Sequence, residues 1–357
     1  MAGPEIICER RGVAGWIVLD RPAALNALTH GMVRAITAAL DLWEHDSAIH
    51  RVVITGAGEK AFCAGGDLRL LYEQGRAGDH QPQMDFWFDE YRLNHRIKTY
   101  SKPFVALIDG IVMGGGVGVA LHGSHRIAGE RFMFAMPEVS IGFFPDVGAS
   151  WFLPRLAGKL GAWAGLTGGR IRAGDACAFG LATAFVARPH WAALCDSLTA
   201  PGDTSAILAA QSEPPPPALL QAEQVLINHC FAPDSLAEIV ARLDAAARGG
   251  SAFAAQAATA MRKNAPLSMA IALQQLARGA HLDFADALAM EYRIVARICR
   301  AHDFYEGVRA LIVDKDQAPR WQPATLDAVY PGAVAAYFAP LIGAELHFGP
   351  VTGAQRL

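Results

Sequence analysis

The sequence lacks the cysteine pairs, basic tracts and long apolar runs that mark three large classes of protein. Its 357 residues include six cysteines, at positions 8, 63, 177, 195, 230 and 299, and no Cys-x-x-Cys pair. Scattered cysteines argue against a disulfide scaffold and indicate reduced thiols. Lysine and arginine number 31 against 34 acidic residues, a formal net charge of −3, so we expect no nucleic-acid partner.

Membrane and export signals are also missing. No stretch reaches about 18 consecutive apolar residues, so we expect no membrane span. The first thirty residues carry charges at Glu5, Glu9, Arg10 and Arg11, without an uninterrupted apolar run of signal-peptide length. Hydrophobic residues make up 52% of the chain and charged residues 18%, which permits a large core. We therefore expect a soluble, cytoplasmic, globular protein.

The hydrophobic pattern predicts an α/β core with parallel strands. Apolar runs at residues 15–19, 51–55 and 103–108 indicate buried strands, and residues 29–44 have the spacing of a helix capped by Thr29. After residue 200 the pattern changes: four consecutive prolines form an exposed connector, and helices begin at Pro266 and after Asp283. We divide the chain into a core, residues 1–200, and a Pro-rich connector with a helical region, residues 201–357.

Three glycine-rich segments are candidates for function: residues 61–67 (AFCAGGD), 109–118 (DGIVMGGGVG) and 136–148 (MPEVSIGFFPDVG). Each alone is most simply a tight turn. None fits the phosphate loop GxxxxGK[ST], the dinucleotide motif GxGxxG or the hydrolase elbow GxSxG. Glycine loops that follow strands direct backbone N–H groups toward a ligand, and two converging N–H groups form an oxyanion hole.

The third segment carries two carboxylates, Glu138 and Asp146, among apolar residues. A carboxyl group in apolar surroundings has a raised pKa and can act as a general acid or base. Two structural alternatives stay open: Asp146 caps a helix that begins at Val147, or Glu138 binds backbone amides. Cys63 has no activating base beside it, so we expect a buried structural thiol rather than a nucleophile. His122 and His125 lack a third ligand, so we predict no metal site.

Together these segments resemble the crotonase (enoyl-CoA hydratase/isomerase) superfamily, whose members bind acyl-CoA thioesters. The sequences FCAGGD, GxxMGGGVG and FAMPExxIGFFPDVG carry the resemblance, which extends to about residue 330. Further segments resemble its 3-hydroxyisobutyryl-CoA hydrolase branch: EYRLN (90–94), PDVG (145–148), MEYR (290–293), HDFYEGVR (302–309) and DKD (314–316). The resemblance implies the ClpP/crotonase fold, a spiral of β-β-α units followed by a helical C-terminal region.

The resemblance also implies site residues. It places the oxyanion-hole N–H groups at Gly66 and Gly115, and substrate contacts at Gly115, Glu90, Glu138 and Asp146. Glu138 and Asp146 are the implied catalytic residues: Glu138 as general base or nucleophile, Asp146 to orient water or hold the substrate's 3-hydroxyl group.

Two departures from the hydratases of this superfamily favour hydrolysis. Those hydratases carry a glutamate shortly after the triple glycine, where this chain has Gly118, and typically a glycine where it has Asp146. We expect hydrolysis of a short 3-hydroxyacyl-CoA, most specifically 3-hydroxyisobutyryl-CoA to 3-hydroxyisobutyrate and CoA in valine catabolism. We expect no metal or redox cofactor, and a homo-oligomer, trimer or hexamer, as in many relatives. The alternatives are a Δ3,Δ2-enoyl-CoA isomerase, a hydratase-like activity and a non-catalytic CoA-binding subunit.

Overall fold

The structure, a computed structural model, describes residues 4–349. Its strands are β1 (Ile6–Arg11), β2 (Ala14–Leu19), β3 (Arg51–Gly56), β4 (Ala61–Cys63), β5 (Phe104–Ile108), β6 (Ile111–Met113), β7 (His125–Ala128), β8 (Met133–Ala135), β9 (Ile171–Arg172) and β10 (Ala184–Phe185). Its helices are α1 (His30–His45), α2 (Leu68–Arg76), α3 (Gln81–Lys98), α4 (Gly115–Ala120), α5 (Ala149–Phe152), α6 (Leu160–Thr167), α7 (Ala173–Ala178), α8 (Trp191–Thr199), α9 (Thr204–Gln211), α10 (Gln224–Cys230), α11 (Leu236–Arg248), α12 (Ala252–Lys263), α13 (Pro266–Gly279), α14 (Phe284–Ile298), α15 (His302–Val308) and α16 (Pro331–Tyr337).

The described chain divides into two compact units, each built from three segments. The sheet unit consists of residues 4–66, 92–134 and 171–219. The helical unit consists of residues 67–91, 135–170 and 220–349. The division of the sequence at residue 200 stays a prediction.

The sheet unit contains the parallel core that the sequence predicts. A six-stranded sheet has the order β1-β2-β3-β5-β7-β10, and a four-stranded sheet the order β4-β6-β8-β9. In the larger sheet only β1 pairs antiparallel; every other neighbour is parallel. Side chains from the strands, including Trp16 and Val53, pack against Leu194 and Leu198 of α8. All three predicted strands are thereby confirmed.

Helices α1, α13 and α14 begin at the residues that the sequence predicts. The Thr29 side chain accepts a hydrogen bond from the Met32 N–H at 3.3 Å and caps α1. Pro266 opens α13, and the Asp283 side chain caps α14 by accepting from the Asp286 N–H at 2.8 Å. These caps satisfy amides that the first helical turn leaves without acceptors.

The described chain after residue 200 is helical, and its last strand ends at Phe185. The four prolines at residues 214–217 are exposed, as expected of a connector. No disulfide joins any of the six cysteines, which all lie within residues 4–349; Cys63 is buried, as predicted. Among residues 4–349, no helix has both the length and the apolar character needed to cross a membrane.

Candidate active site

The first two glycine-rich segments lie side by side in the sheet unit. The strands that precede them, β4 and β6, are parallel neighbours. Gly66 forms a parallel bridge with Leu28, whose N–H donates to the Gly65 carbonyl at 2.8 Å. A Cβ built on Gly65 would lie 3.8 Å from the Gly115 nitrogen. The loops that carry the two predicted oxyanion-hole glycines are therefore adjacent.

Gly115 begins helix α4, and the residue before it requires glycine. Gly114, the N-cap, has φ 47° and ψ −128°, a conformation that side chains disfavour. The N–H groups of Val117 and Gly118 donate to the Gly114 carbonyl, whereas the first amides of a helix have no intrahelical acceptor. The Gly115 N–H thus has no acceptor within α4, as an oxyanion donor requires. Convergence of the Gly66 and Gly115 N–H groups stays a prediction.

Four buried carboxyl side chains, hereafter the carboxyl cluster, come together in the helical unit: Glu90 of α3, Glu138, Asp146 and Glu291 of α14. Their exposed fractions are 2%, 6%, 4% and 0%, respectively. Asp146 interacts electrostatically with each of the other three. The structure therefore brings the three carboxylates predicted from the sequence into one place and adds a fourth.

Burial controls the protonation of the carboxyl cluster. Burial, and after it the charge of Asp146, raises the pKa of Glu90 and of Glu138 well above the ordinary value. Burial also raises the pKa of Asp146 to about 7, although a hydrogen bond from Tyr91 opposes the increase. It raises the pKa of Glu291 to about 8 against the hydrogen bonds that this side chain accepts. Carboxyl groups with such pKa values can exchange protons near neutral pH.

Two oxygens of the cluster are not satisfied by the protein. Glu90 Oε1 and Glu138 Oε2 are buried and have no hydrogen-bond partner among the described residues. Asp146 differs, because its Oδ2 accepts a hydrogen bond from the Tyr91 hydroxyl at 2.9 Å. Buried polar atoms without partners cost free energy and are uncommon in folded proteins. These two oxygens are therefore candidate contacts for a ligand.

The interpretation of Asp146 as a helix cap is wrong. Helix α5 begins at Ala149 rather than Val147, and its N-cap is Gly148, without a side-chain capping bond. Glu291 serves the start of this helix instead: its two oxygens accept from the N–H groups of Gly148 and Ser150, both at 2.8 Å. The Asp146 side chain is thus not needed to begin the helix.

The segment that carries Asp146 has an unusual backbone. Val147 has φ 53°, the left-handed region that β-branched residues rarely adopt. The Gln275 side-chain amide donates to the Pro145 carbonyl and, at 3.2 Å, to the Ser150 hydroxyl. Strain of this kind persists only where surrounding contacts hold it, and it is common at functional sites.

Sequence reasoning missed the three residues that hold this segment. Tyr91 and Glu291 lie within quoted segments, EYRLN and MEYR, but no local feature indicated their contacts. Gln275 gave no signal at all. Within residues 4–349, no group of three or more His, Cys, Asp or Glu side chains is arranged to hold a metal ion.

Comparison with known proteins supplies further findings. The sequence profile of the Enoyl-CoA hydratase/isomerase family matches residues 14–338. A curated relative from Danio rerio, 3-hydroxyisobutyryl-CoA hydrolase, mitochondrial, is 45% identical over 92% of this chain and 87% of its own length. The protein of the same name from Homo sapiens is 41% identical over 97% of this chain and 92% of its own length.

Two solved structures are similar over nearly the whole chain. A carnitinyl-CoA dehydratase from Mycobacterium thermoresistibile has a TM-score of 0.92 and 40% identity, covering 98% of this chain and all of its own. An enoyl-CoA hydratase from Rhodobacter sphaeroides 2.4.1 has a TM-score of 0.91 and 43% identity, covering 97% of this chain and all of its own. The names of the solved structures and of the curated relatives thus point to different reactions.

Proposed function

Because the chain belongs to the enoyl-CoA hydratase/isomerase family, we propose that it hydrolyses 3-hydroxyisobutyryl-CoA to 3-hydroxyisobutyrate and coenzyme A, a step of valine catabolism. The chain has the predicted crotonase fold. It is an acyl-CoA thioester hydrolase, as the names of its curated relatives indicate. Since the solved structures carry the names of a hydratase and a dehydratase, the choice of reaction depends on the residues of the site.

The position of Asp146 is the observation that carries the proposal. This side chain lies in the carboxyl cluster and does not cap α5. Family resemblance places a hydratase glutamate at Gly118 and a glycine at Asp146, so the chain lacks one hydratase carboxylate and has gained another. Both differences favour water attack on a thioester carbonyl over addition of water to a double bond.

The backbone amides of Gly66 and Gly115 hold the oxyanion in this mechanism. Attack on the thioester carbonyl moves negative charge onto its oxygen, and two N–H donors stabilise that charge more than the neutral carbonyl. Removing one such donor from an enzyme typically costs about 10²–10³ in rate. The donors come from the main chain, which fits the glycines at these positions.

Glu138 accepts the proton of the attacking water, or attacks the carbonyl itself to give a mixed anhydride that water then hydrolyses. Its raised pKa makes it a strong proton acceptor once ionised. Asp146 orients the water or binds the 3-hydroxyl group of the substrate, and Glu90 contacts the acyl group. A buried acceptor that binds a substrate hydroxyl discriminates against analogues without it, because the acceptor then loses its partner.

One assay separates the candidate functions. Thiol release is measured with 3-hydroxyisobutyryl-CoA and with isobutyryl-CoA, the matched substrate without the hydroxyl group. Isomerisation of a 3-enoyl-CoA and hydration of a 2-enoyl-CoA are measured in parallel. We expect thiol release to be fast with the hydroxylated substrate and at least about tenfold slower without the hydroxyl. Isomerisation or hydration without thiol release would refute the hydrolase, and binding without turnover would support a CoA-binding subunit.

Three further properties belong to the same proposal. We propose that the reaction needs no metal or redox cofactor, since a thioester carbonyl is already electrophilic and the amides supply the stabilising charge. A trimer or hexamer rests on the family resemblance, and light scattering tests it. The cytoplasmic location rests on the sequence pattern, whereas the curated relatives are named mitochondrial; cell fractionation distinguishes the two compartments.

A further inference from the structure

We propose that Tyr91 and Glu291 are positioning residues, which hold the carboxylate of Asp146 and the strained turn that carries it in the orientation needed for thioester hydrolysis. The inference deepens the proposed function and rests on it. Neither residue is expected to touch the reacting atoms. Both act through the segment Pro145–Gly148.

Tyr91 holds the Asp146 side chain. Its hydroxyl donates to Asp146 Oδ2 at 2.9 Å, and its ring is buried with an exposed fraction of 0%. Burial, and after it the charge of Asp146, raises the pKa of Tyr91 well above its ordinary value, so the hydroxyl keeps its proton. One Asp146 oxygen therefore accepts a hydrogen bond from a hydroxyl that keeps its proton.

Glu291 holds the backbone of the same turn. Its oxygens accept from Gly148 and Ser150, the residues on either side of the first residue of α5. Val147, next to Asp146, stays at φ 53° only if its neighbours are fixed on both sides. Glu291 fixes the C-terminal side, and Tyr91 fixes the side chain of the residue before Val147.

The two anchors come from adjoining parts of two helices. The ring of Tyr91, in α3, packs edge-on against Tyr292, the residue after Glu291 in α14, with centroids 6.4 Å apart. Both anchors are thereby packed side chains of regular helices, which is where precise orientation of a site is best supported. The charge of Asp146 acts on the three other members of the carboxyl cluster and on Tyr91.

The hydrogen bond from Tyr91 also favours the ionised form of Asp146. A donor to a carboxylate stabilises the ionised form and lowers its pKa. Glu90 and Glu138, by contrast, each retain one oxygen without a hydrogen-bond partner among residues 4–349. Tyr91 therefore lowers the pH at which Asp146 loses its proton.

Tyr91→Phe tests this role, because it removes the hydroxyl and keeps the ring. A hydrogen bond to a charged group stabilises the ionised form, so its loss should raise the pKa of Asp146 by about one unit or more. We expect the acidic limb of kcat/KM to move to higher pH by about that amount. The matched control is Tyr305→Phe, which removes a hydroxyl bound to the Cys299 carbonyl elsewhere in the helical unit and should leave the limb in place.

Glu291→Gln tests the second anchor with a different readout. The glutamine side chain keeps one acceptor oxygen, but its NH2 group cannot accept from an N–H group. One of the two hydrogen bonds from Gly148 and Ser150 is therefore lost. We expect kcat to fall by about tenfold or more with little change in KM, and no upward movement of the acidic limb. If both variants keep the wild-type pH profile and kcat, the proposal is overturned.

A direct titration separates this inference from the proposed function. The carboxyl carbon of Asp146, labelled with ¹³C-aspartate and assigned with Asp146→Asn, is titrated by NMR in the wild type and in Tyr91→Phe. A raised pKa in the variant supports the role of Tyr91 even if the wild type fails to hydrolyse 3-hydroxyisobutyryl-CoA. An unchanged Asp146 titration refutes it even if hydrolysis is confirmed. Should Tyr91→Phe fail to fold, the kcat of Glu291→Gln decides.

Discussion

The sheet unit and the helical unit each bury ionisable side chains, but every side-chain nitrogen of Arg51 in the first is hydrogen-bonded, whereas Glu90 and Glu138 of the second are not fully hydrogen-bonded within residues 4–349. In the sheet unit, Arg51 is fully buried in β3, and its three nitrogens donate to four acceptors at 2.6–3.0 Å: the Thr204 hydroxyl and the carbonyls of Leu198, Ala200 and Gly202. In the helical unit, Glu90 and Glu138 each leave an oxygen without a partner among the described residues.

The difference separates a structural charge from candidate functional groups. The Arg51 guanidinium organises the chain around residues 198–204, and its hydrogen bonds offset the cost of burial. Burial disfavours the ionised forms of Glu90 and Glu138, and the nearby charge of Asp146 disfavours them further. Groups kept under such unfavourable conditions are candidates for function, because a ligand or a transition state can supply the missing partner.

Glu138→Gln should have the largest effect, and it tests the functional side of the comparison. An amide neither accepts the proton nor attacks the carbonyl, and general-base groups typically contribute about 10²–10⁴ in rate. We expect kcat for 3-hydroxyisobutyryl-CoA to fall within that range. The free energy of unfolding should not fall, since the variant removes a buried ionisable group. Near-wild-type turnover would show that Glu138 is not the base or nucleophile.

Arg51→Met tests the structural side. The variant leaves three carbonyls and one hydroxyl without their donor, and each unsatisfied buried group costs about 1–3 kcal/mol. Allowing for relaxation, we expect the free energy of unfolding to drop by about 3 kcal/mol in denaturant titrations, with kcat per folded molecule unchanged. Arg10→Met, in an exposed part of β1, is the matched control and should cost less than about 0.5 kcal/mol. Equal stability of the two variants would contradict the assignment.

Asp146→Asn distinguishes catalysis from helix capping at a single position. We expect kcat/KM for 3-hydroxyisobutyryl-CoA to fall at least about tenfold, equal to about 1.4 kcal/mol of transition-state stabilisation. The melting temperature should stay unchanged, because Gly148 and Glu291 begin α5 without the Asp146 side chain. Asp283→Asn, at a genuine helix cap, should leave kcat/KM unaltered. Full activity in Asp146→Asn would make the isomerase the preferred function.

The carboxyl cluster should also make stability depend on pH. Burial raises the folded-state pKa of Asp146 from 3.8 to about 7 and that of Glu291 from 4.5 to about 8. Between these values the folded state holds protons that the unfolded state has released. The free energy of unfolding is therefore highest below the ordinary pKa values and falls progressively as pH rises from them through 7–8. Each group contributes a slope of at most about 1.4 kcal/mol per pH unit. Denaturant titrations from pH 5 to 8 measure the slope, which Glu291→Gln should reduce and Arg51→Met should not.

The sequence alone determined the features that depend on neighbours in the chain. Apolar runs predicted β2, β3 and β5, and Thr29, Pro266 and Asp283 marked helix starts, because capping groups and the amides they satisfy lie within three residues. The glycine segments and the carboxylates Glu138 and Asp146 were also visible in the sequence, and resemblance to known relatives implied their roles and added Glu90.

The tertiary structure decided which groups hold Asp146. Its partner Tyr91 is 55 residues away, and Glu291 reaches Gly148 across 143 residues. Local reasoning leaves open a helix that begins at Val147 with Asp146 as its cap, but the left-handed backbone of Val147 delays α5 to Ala149. Such a backbone is unfavourable for an isolated valine, so no local pattern predicts it. It exists only because side chains distant in sequence pack around the turn and supply the hydrogen bonds that hold it.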